Sequence, residues 1–200
     1  MKKFIFIFAL LLFICSPSFA NFNDVLIADV QYDWIDKNNV QREAIIDEVH
    51  DILFENGFEK KKGLKKQYKA LLKDKNHLDN YLAASAGYEE LKGYNISAFY
   101  YKNQKRIYMY ALQDKKDLSK IYYYDALGHL RYIDEVYGEY PEYPYQSYQY
   151  RISGEPVSAI YFVSKDCQYI FTPNGKFKGV WYKHNLYDRH SKVILKRTAY

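Results

Sequence analysis

The chain is poor in cysteine, glycine and long hydrophobic runs. Its 200 residues include only 2 cysteines, 9 glycines and 5 prolines. So little glycine excludes a collagen-like or silk-like protein, and a hydrophobic content of 48% excludes a disordered one. Beyond the N-terminal 20 residues, no apolar run approaches the length of about 18 residues that marks a transmembrane helix. A globular protein without a transmembrane segment is therefore predicted.

The segment 1–20 has the pattern of a bacterial secretory signal peptide. Two lysines precede the apolar run 4–14, which is too short to cross a membrane as a helix. Ser18-Phe19-Ala20 places small residues at the two positions that a signal peptidase recognises, so cleavage is predicted before Asn21. A lipoprotein signal at Cys15 is the alternative, and the bulky residue before that cysteine argues against it. We expect an exported protein, periplasmic or extracellular after cleavage at Ala20.

Removal of the signal leaves Cys167 as the single cysteine, so no internal disulfide can form. A core built from the 180 remaining residues must hold the fold together. The formal net charge of +5 falls to +3, because both charged residues of the signal are lysines. A charge this small in an exported protein argues against binding of nucleic acid.

Residues 21–93 are predicted to form a helical segment. Apolar residues at helical spacing indicate a first helix from about Asn38 to the Asn56-Gly57 stop. A second helical stretch is predicted over about 64–74 and a third over about 77–92.

Residues 94–200 are predicted to form an antiparallel sheet of about eight strands, because short runs rich in Tyr, Phe, Ile and Val alternate with turn residues. The fold class is therefore α+β: a helical segment followed by a β-hairpin meander. The predicted strands are 96–101, 107–112, 120–124, 130–136, 157–163, 167–171, 176–182 and 193–197.

The sheet region contains a weak internal repeat of aromatic strand, tight turn and strand. Its three turns carry Gly128, Gly154 and Gly175, at spacings of 26 and 21 residues. The clearest turn is 172–175, with sequence Thr-Pro-Asn-Gly, in which glycine is expected to adopt a positive φ. One hairpin cannot bury its own apolar face, so repetition supplies the packing partner.

The first of these turns resembles the tyrosine–aspartate (YD) repeats of the RHS family. The family pattern is Tyr, any residue, Tyr-Asp, two residues, Gly, any residue and Leu. It is matched here by Tyr122, Tyr124, Asp125, Gly128 and Leu130. His129 stands where the family usually has Arg. The segment 174–182 is similar to MORN-type hairpin repeats, in which glycine-punctuated strands carry aromatic residues. The two resemblances imply hairpins with interaction-type roles over about residues 98–185, but three or four copies cannot close the shell that many RHS repeats build.

Candidates for catalysis or metal binding are weak, and the sequence predicts neither a cofactor nor a metal. Cys167 could act as a nucleophile with His184 or His190 as the base, but it opens an apolar strand and is interpreted as a small buried residue. His184, Asp188 and His190 lack the close ligand pairs of zinc sites, so a surface loop is preferred there.

Two segments stand out by composition. The stretch 59–75 contains eight lysines and two acidic residues; it is interpreted as a solvated helix face, with membrane-surface contact through Lys60–Lys75 or binding of an anionic polymer as the alternative. The segment 138–150 contains two Tyr-Pro pairs and is predicted to form an extended loop, because proline is disfavoured in a central strand. Its tyrosines are the predicted binding residues, as a platform for sugars or protein: Tyr140, Tyr143, Tyr145, Tyr148 and Tyr150.

These features favour a non-enzymatic exported protein that binds an envelope glycan or a protein partner through its tyrosine-rich sheet and Tyr-Pro loop. One alternative is a cell-envelope hydrolase acting on glycan or peptide with Asp134 and Glu135. Adjacent strand residues point to opposite faces, which argues against that pair. Another alternative is a structural or secretion-associated remnant of a repeat protein. The sequence does not specify the oligomeric state.

Overall fold

The computed structural model of the chain describes residues 41–100 and 106–196. The predicted signal peptide and the predicted start of the first helix at Asn38 lie outside these ranges. In the described part of the chain, a helical segment precedes one sheet. The helices are α1 (Arg42–Phe54), α2 (Leu64–Gln67) and α3 (His77–Ser85), with a 3-10 helix (Lys69–Leu71) between the last two.

Eleven strands in the described ranges form a single sheet in sequence order, and each strand pairs antiparallel with the next. This arrangement confirms the predicted α+β hairpin meander, with three strands more than expected. The strands are β1 (Glu90–Leu91), β2 (Tyr94–Tyr100), β3 (Ile107–Asp114), β4 (Asp117–Asp125), β5 (Leu130–Tyr137), β6 (Tyr145–Arg151), β7 (Pro156–Ser164), β8 (Cys167–Phe171), β9 (Phe177–Tyr182), β10 (Asn185–Tyr187) and β11 (Val193–Lys196).

The third helix is shorter than predicted, because it ends at Ser85 rather than near Lys92. Gly87 has a φ of 76°, its N–H donates to Ala84 O, and the following N–H donates to Ala83 O. These two bonds are the Schellman pattern that closes a helix when glycine adopts the left-handed conformation. The chain is then free to turn into β1.

The Tyr-Pro loop is also shorter than predicted. It covers 138–144, and Tyr145–Arg151 is the central strand β6, paired with both β5 and β7. Both prolines precede the strand, so the ladder loses no hydrogen-bond donor to them. Within the loop, Glu142 N–H donates to Glu139 O, which makes a turn rather than an extended path.

Side-chain alternation gives the sheet two different faces. The helix-covered face is apolar and aromatic, and it forms two cores with the helical segment. One core joins Ile45, Val49 and Leu53 of α1 to β7–β9, and the other joins Leu64, Tyr68 and α3 to β2–β6. The opposite face carries buried polar side chains, among them Gln113, Asp134, Ser147, Ser158 and Gln168.

The helical segment packs against a row of turns at one end of the strands. In a meander every second turn lies at the same end of the strands. The β4–β5, β6–β7 and β8–β9 turns, which contain Gly128, Gly154 and Gly175, therefore lie side by side. A Cβ at Gly128 would lie 2.8 Å from His77 Cβ, and at Gly154 and Gly175 it would meet Lys61 O and the His50 ring. Each of the three repeat glycines therefore contacts one residue of the helical segment. The order is reversed, since the first glycine contacts the last of these residues and the last glycine contacts the first.

Candidate functional site

A cleft of about 660 Å³ opens between the sheet and the segment that leads into α3. Its side chains combine aromatic rings, amides, carboxylates and lysines, which is the mixture expected of a site for a polar ligand with apolar patches. The cleft is lined by Ala70, Leu71, Lys73, Asp74, Lys75, Asn76, Asp79, Asn80, Leu91, Lys92, Tyr94, Leu112, Asp114, Tyr122 and Tyr124.

The sheet side of the cleft is aromatic. Leu112 lies directly opposite Tyr122 in the β3–β4 ladder, and Tyr124 is two residues further along the same face. Burial raises the pKa of Tyr122 to about 12, and it raises the pKa of Tyr124 as well. Both hydroxyls therefore stay neutral at physiological pH and can donate or accept a hydrogen bond.

Asp74 organises the polar side of the cleft. Its Oδ1 accepts a hydrogen bond from Asn76 N–H at 2.9 Å, and its Oδ2 accepts from the Tyr110 hydroxyl at 2.8 Å and from Asn80 Nδ2. The Tyr110 hydroxyl also lies 2.9 Å from His77 Nδ1. Because that hydroxyl donates its proton to Asp74, His77 Nδ1 is the donor in the second bond.

Backbone hydrogen bonds fix this wall to the turn that resembles a YD repeat. Asp74 N–H donates to Gly128 O at 2.8 Å, and Leu130 N–H donates to Leu72 O at 3.1 Å. The turn itself is held by Asp125, whose Oδ1 accepts from the N–H groups of Leu127 and His129, each at 2.9 Å. Burial opposes ionisation of Asp125, yet these bonds hold its pKa below the usual value.

A row of exposed lysines, here called the lysine ridge, runs from α2 to the cleft. Of the eight lysines in 59–75, Lys60 pairs with Glu155 and Lys61 pairs with Glu135. The other six make no ion pair with any carboxylate in the described ranges. The ridge consists of Lys62, Lys65, Lys66, Lys69, Lys73 and Lys75, of which the last two line the cleft.

Three of the predicted binding tyrosines form a cluster on the opposite face. Tyr140 and Tyr143 lie 4.9 and 5.2 Å from the Tyr145 ring, which stacks on Phe162 at 4.4 Å. Tyr145 is buried, whereas Tyr143 is 42% exposed. The Tyr140 hydroxyl donates to Gln113 Oε1 at 3.2 Å, which anchors the loop to the sheet.

The other two predicted tyrosines lie on the helix-covered face, so the five do not form one platform. The Tyr148 hydroxyl donates to Leu53 O at 2.6 Å, and the rings of Tyr148 and Tyr150 both pack against Phe58. Period-two alternation along β6 sends them away from Tyr145. They join the helical segment to the sheet.

Asp134 and Glu135 also lie on opposite faces, as expected from their adjacency on β5. Asp134 is 1% exposed and accepts a hydrogen bond from the Tyr123 hydroxyl at 2.6 Å. Glu135 accepts from the Tyr137 hydroxyl at 2.8 Å and pairs with Lys61. The two carboxylates therefore cannot act together on one substrate.

The other candidates for catalysis or metal binding lie in the core or in a turn, where they serve the fold. Cys167 is buried, and burial raises the pKa of its thiol to about 12, so the nucleophilic thiolate is disfavoured. Asp188 Oδ1 accepts from the N–H groups of His190 and Lys192 and closes a turn. Among residues 41–100 and 106–196, no three His, Cys, Asp or Glu side chains come together as a metal site would require.

Comparison with protein-family models, curated proteins and solved structures found no match to this chain. In the part of the chain that the structure describes, no helix has the length and apolar character needed to span a membrane. The site is therefore interpreted from its own geometry.

The cleft was not predicted from the sequence. Tyr122 and Tyr124 were recognised as parts of a repeat, and Asp74 only as one of two acids in a lysine-rich stretch. The signal that could have found it is the loss of helical pattern between 72 and 77, where Asp74 and Asn76 lie at the junction of two predicted helical stretches.

Proposed function

We propose that this chain is an exported, non-enzymatic binding protein that holds a hydroxyl-bearing segment of an envelope glycan in the tyrosine-lined cleft. The observation that carries the proposal is the joint lining of one cleft by Tyr94, Tyr122 and Tyr124 and by Asn76, Asp79 and Asn80.

The chemistry of a sugar suits this lining. A pyranose ring has apolar C–H faces that pack on aromatic rings, and its rim of hydroxyls needs hydrogen-bond donors and acceptors. Neutral tyrosine hydroxyls, amides, carboxylates and lysines supply both. Three lysines and three aspartates line the cleft, so the lining itself carries no large charge of either sign.

The contacts of Asp74, Asp134 and Glu135 favour binding over hydrolysis by these three carboxylates. Glycoside hydrolysis commonly uses two carboxyl groups on either side of the bond. Both oxygens of Asp74 already accept hydrogen bonds from the protein, which suits a residue that positions the cleft wall. Asp134 and Glu135 are engaged on separate faces of the sheet.

A blocking variant tests the proposal. Ala70 is exposed on the 3-10 helix and lines the cleft, so Ala70→Trp places an indole in it. Ala86→Trp is the matched control, because Ala86 is exposed beyond α3 and outside the lining.

Isothermal titration against soluble peptidoglycan fragments and a set of polysaccharides should show binding that Ala70→Trp weakens at least about tenfold, a loss of about 1.4 kcal/mol. The control should bind as the parent does, and all three proteins should share one melting temperature. Equal binding by Ala70→Trp and the parent would assign the ligand to another surface. Release of shortened glycan products would favour the hydrolase instead.

A further inference from the structure

The cleft lining has equal numbers of lysines and aspartates, whereas the lysine ridge beside it is strongly basic. The whole chain has 29 basic and 24 acidic residues, so it is close to balanced. The six cations of the lysine ridge, by contrast, lie within 14 consecutive residues. Asp74 is the one acidic residue in that interval, and hydrogen bonds occupy both of its oxygens. The excess of positive charge is therefore local.

The ridge is continuous with the cleft. Lys73 and Lys75 belong to both, and Ala70, which lines the cleft, directly follows Lys69. A chain-like ligand that leaves the cleft past Lys73 or Lys75 meets an exposed lysine side chain. Single exposed charges contribute little, but several acting on a polyanion within about 10 Å at 0.1 M salt add together.

We propose that the ligand is an acidic polysaccharide, with one sugar ring in the cleft and the acidic groups of neighbouring sugars on the lysine ridge. This inference rests on the proposed function and specifies its ligand class. Two observations favour a polysaccharide over a flat anionic membrane or a polyanion without rings. The aromatic side chains lie inside a concave cleft, which a flat surface cannot enter, and they give contact area only to a ligand that has a ring or another apolar face.

The closing experiment compares polymers that differ in one property. Dextran and carboxymethyl dextran share a backbone and differ in charge, polygalacturonate is acidic on another backbone, and polyphosphate is acidic without sugars. Vesicles of phosphatidylglycerol represent a membrane. Affinity is measured by isothermal titration at 50 and 500 mM salt, and by sedimentation for the vesicles.

Two triple variants distinguish the effect of the lysine ridge on binding from the effect of the protein's net charge. Lys65→Gln/Lys66→Gln/Lys69→Gln removes three ridge charges that lie outside the cleft lining. Lys176→Gln/Lys178→Gln/Lys192→Gln removes three exposed lysines at the other end of the chain, with the same change in net charge. Ala70→Trp serves again as the cleft-blocking variant.

The proposal expects an acidic polysaccharide to bind at least about tenfold more tightly than dextran at 50 mM salt, with most of that advantage lost at 500 mM. The ridge variant should lose about tenfold in affinity and become less sensitive to salt, while the control triple stays within about twofold of the parent. Ala70→Trp should weaken binding of every polysaccharide.

Several results would overturn the inference. If dextran binds as tightly as its charged form and Ala70→Trp weakens both, the ligand is a neutral glycan and only the proposed function stands. If polyphosphate binds as well as the acidic glycans and Ala70→Trp has no effect, the ridge is a general polyanion surface. If only vesicles bind, the partner is a membrane. Absence of binding to any polysaccharide, here and among the peptidoglycan fragments, would remove the proposed function as well.

Discussion

Because of Asp134, the free energy of unfolding of this protein should fall as the pH rises from about 4 to about 7. Its side chain lies on the opposite face of the sheet, 1% exposed, with the Tyr123 hydroxyl as a hydrogen-bond donor. Burial, the largest influence, raises the pKa of this carboxyl from 3.8 to about 6, although the hydrogen bond from Tyr123 acts against it. The folded protein therefore holds this proton more tightly than the unfolded chain does.

The sign and size of the effect follow from that difference. The contribution of Asp134 to stability is fully present below about pH 4, the unfolded value, and is lost as the pH rises through about 6. A shift of about two pH units corresponds to about 3 kcal/mol, at 1.36 kcal/mol per unit. Asp134→Asn stays neutral throughout and keeps an oxygen that can accept from Tyr123, so it avoids this loss.

Urea denaturation at several pH values between 4 and 8, followed by tyrosine and tryptophan fluorescence, measures the effect. The free energy of unfolding of Asp134→Asn, relative to the parent, should rise by about 3 kcal/mol between pH 4 and 7.5. Asp47→Asn, on the exposed side of α1, is the control for the loss of an acidic side chain outside the core. Parallel pH curves for the parent and Asp134→Asn would refute the buried-carboxyl argument.

Four further outcomes are expected. Gly175→Val should cost about 1–3 kcal/mol in chemical denaturation, because Gly175 has a φ of 77°; an unchanged midpoint would contradict this. Tyr140→Ser/Tyr143→Ser should leave the melting temperature within a few degrees and weaken protein capture from envelope extracts, and full retention of every partner would speak against a contact role. Tyr145→Ser alone should destabilise the fold by about 3 kcal/mol, because its ring is buried and stacked on Phe162; the prediction that Tyr145 is a loop residue for binding is wrong. Mass spectrometry of the exported protein should show Asn21 as the first residue, and a lipid-modified cysteine would disprove that cleavage.

Local chemistry was enough to predict the hairpins. The turn 172–175 was identified from its own four residues, and Gly175 N–H indeed donates to Thr172 O at 3.0 Å. The separation of Asp134 from Glu135 followed from strand alternation alone. These predictions succeeded because a tight turn and a two-residue period depend on few neighbours.

Features that depend on distant partners were missed. The prolines suggested that 138–150 was a loop, but pairing with β5 and β7 makes Tyr145–Arg151 a strand. The helix predicted over 77–92 ends at Ser85, where Gly87 closes it. The cleft joins residues near 74 to residues near 94, 112 and 122. The break in the helical pattern at 72–77 marks one wall, but no local pattern predicts which strands lie opposite it.

The repeat glycines explain how the helical segment and the sheet create the cleft together. At Gly128 a Cβ would collide with His77, which is part of the Asp74 network, and at Gly154 it would collide with the Lys61 carbonyl. The spacing of 26 and 21 residues between repeat turns thus sets the positions at which the helical segment can dock. The sheet presents three turns in which a glycine faces the helical segment, and residues 70–80 of that segment form one wall of the cleft.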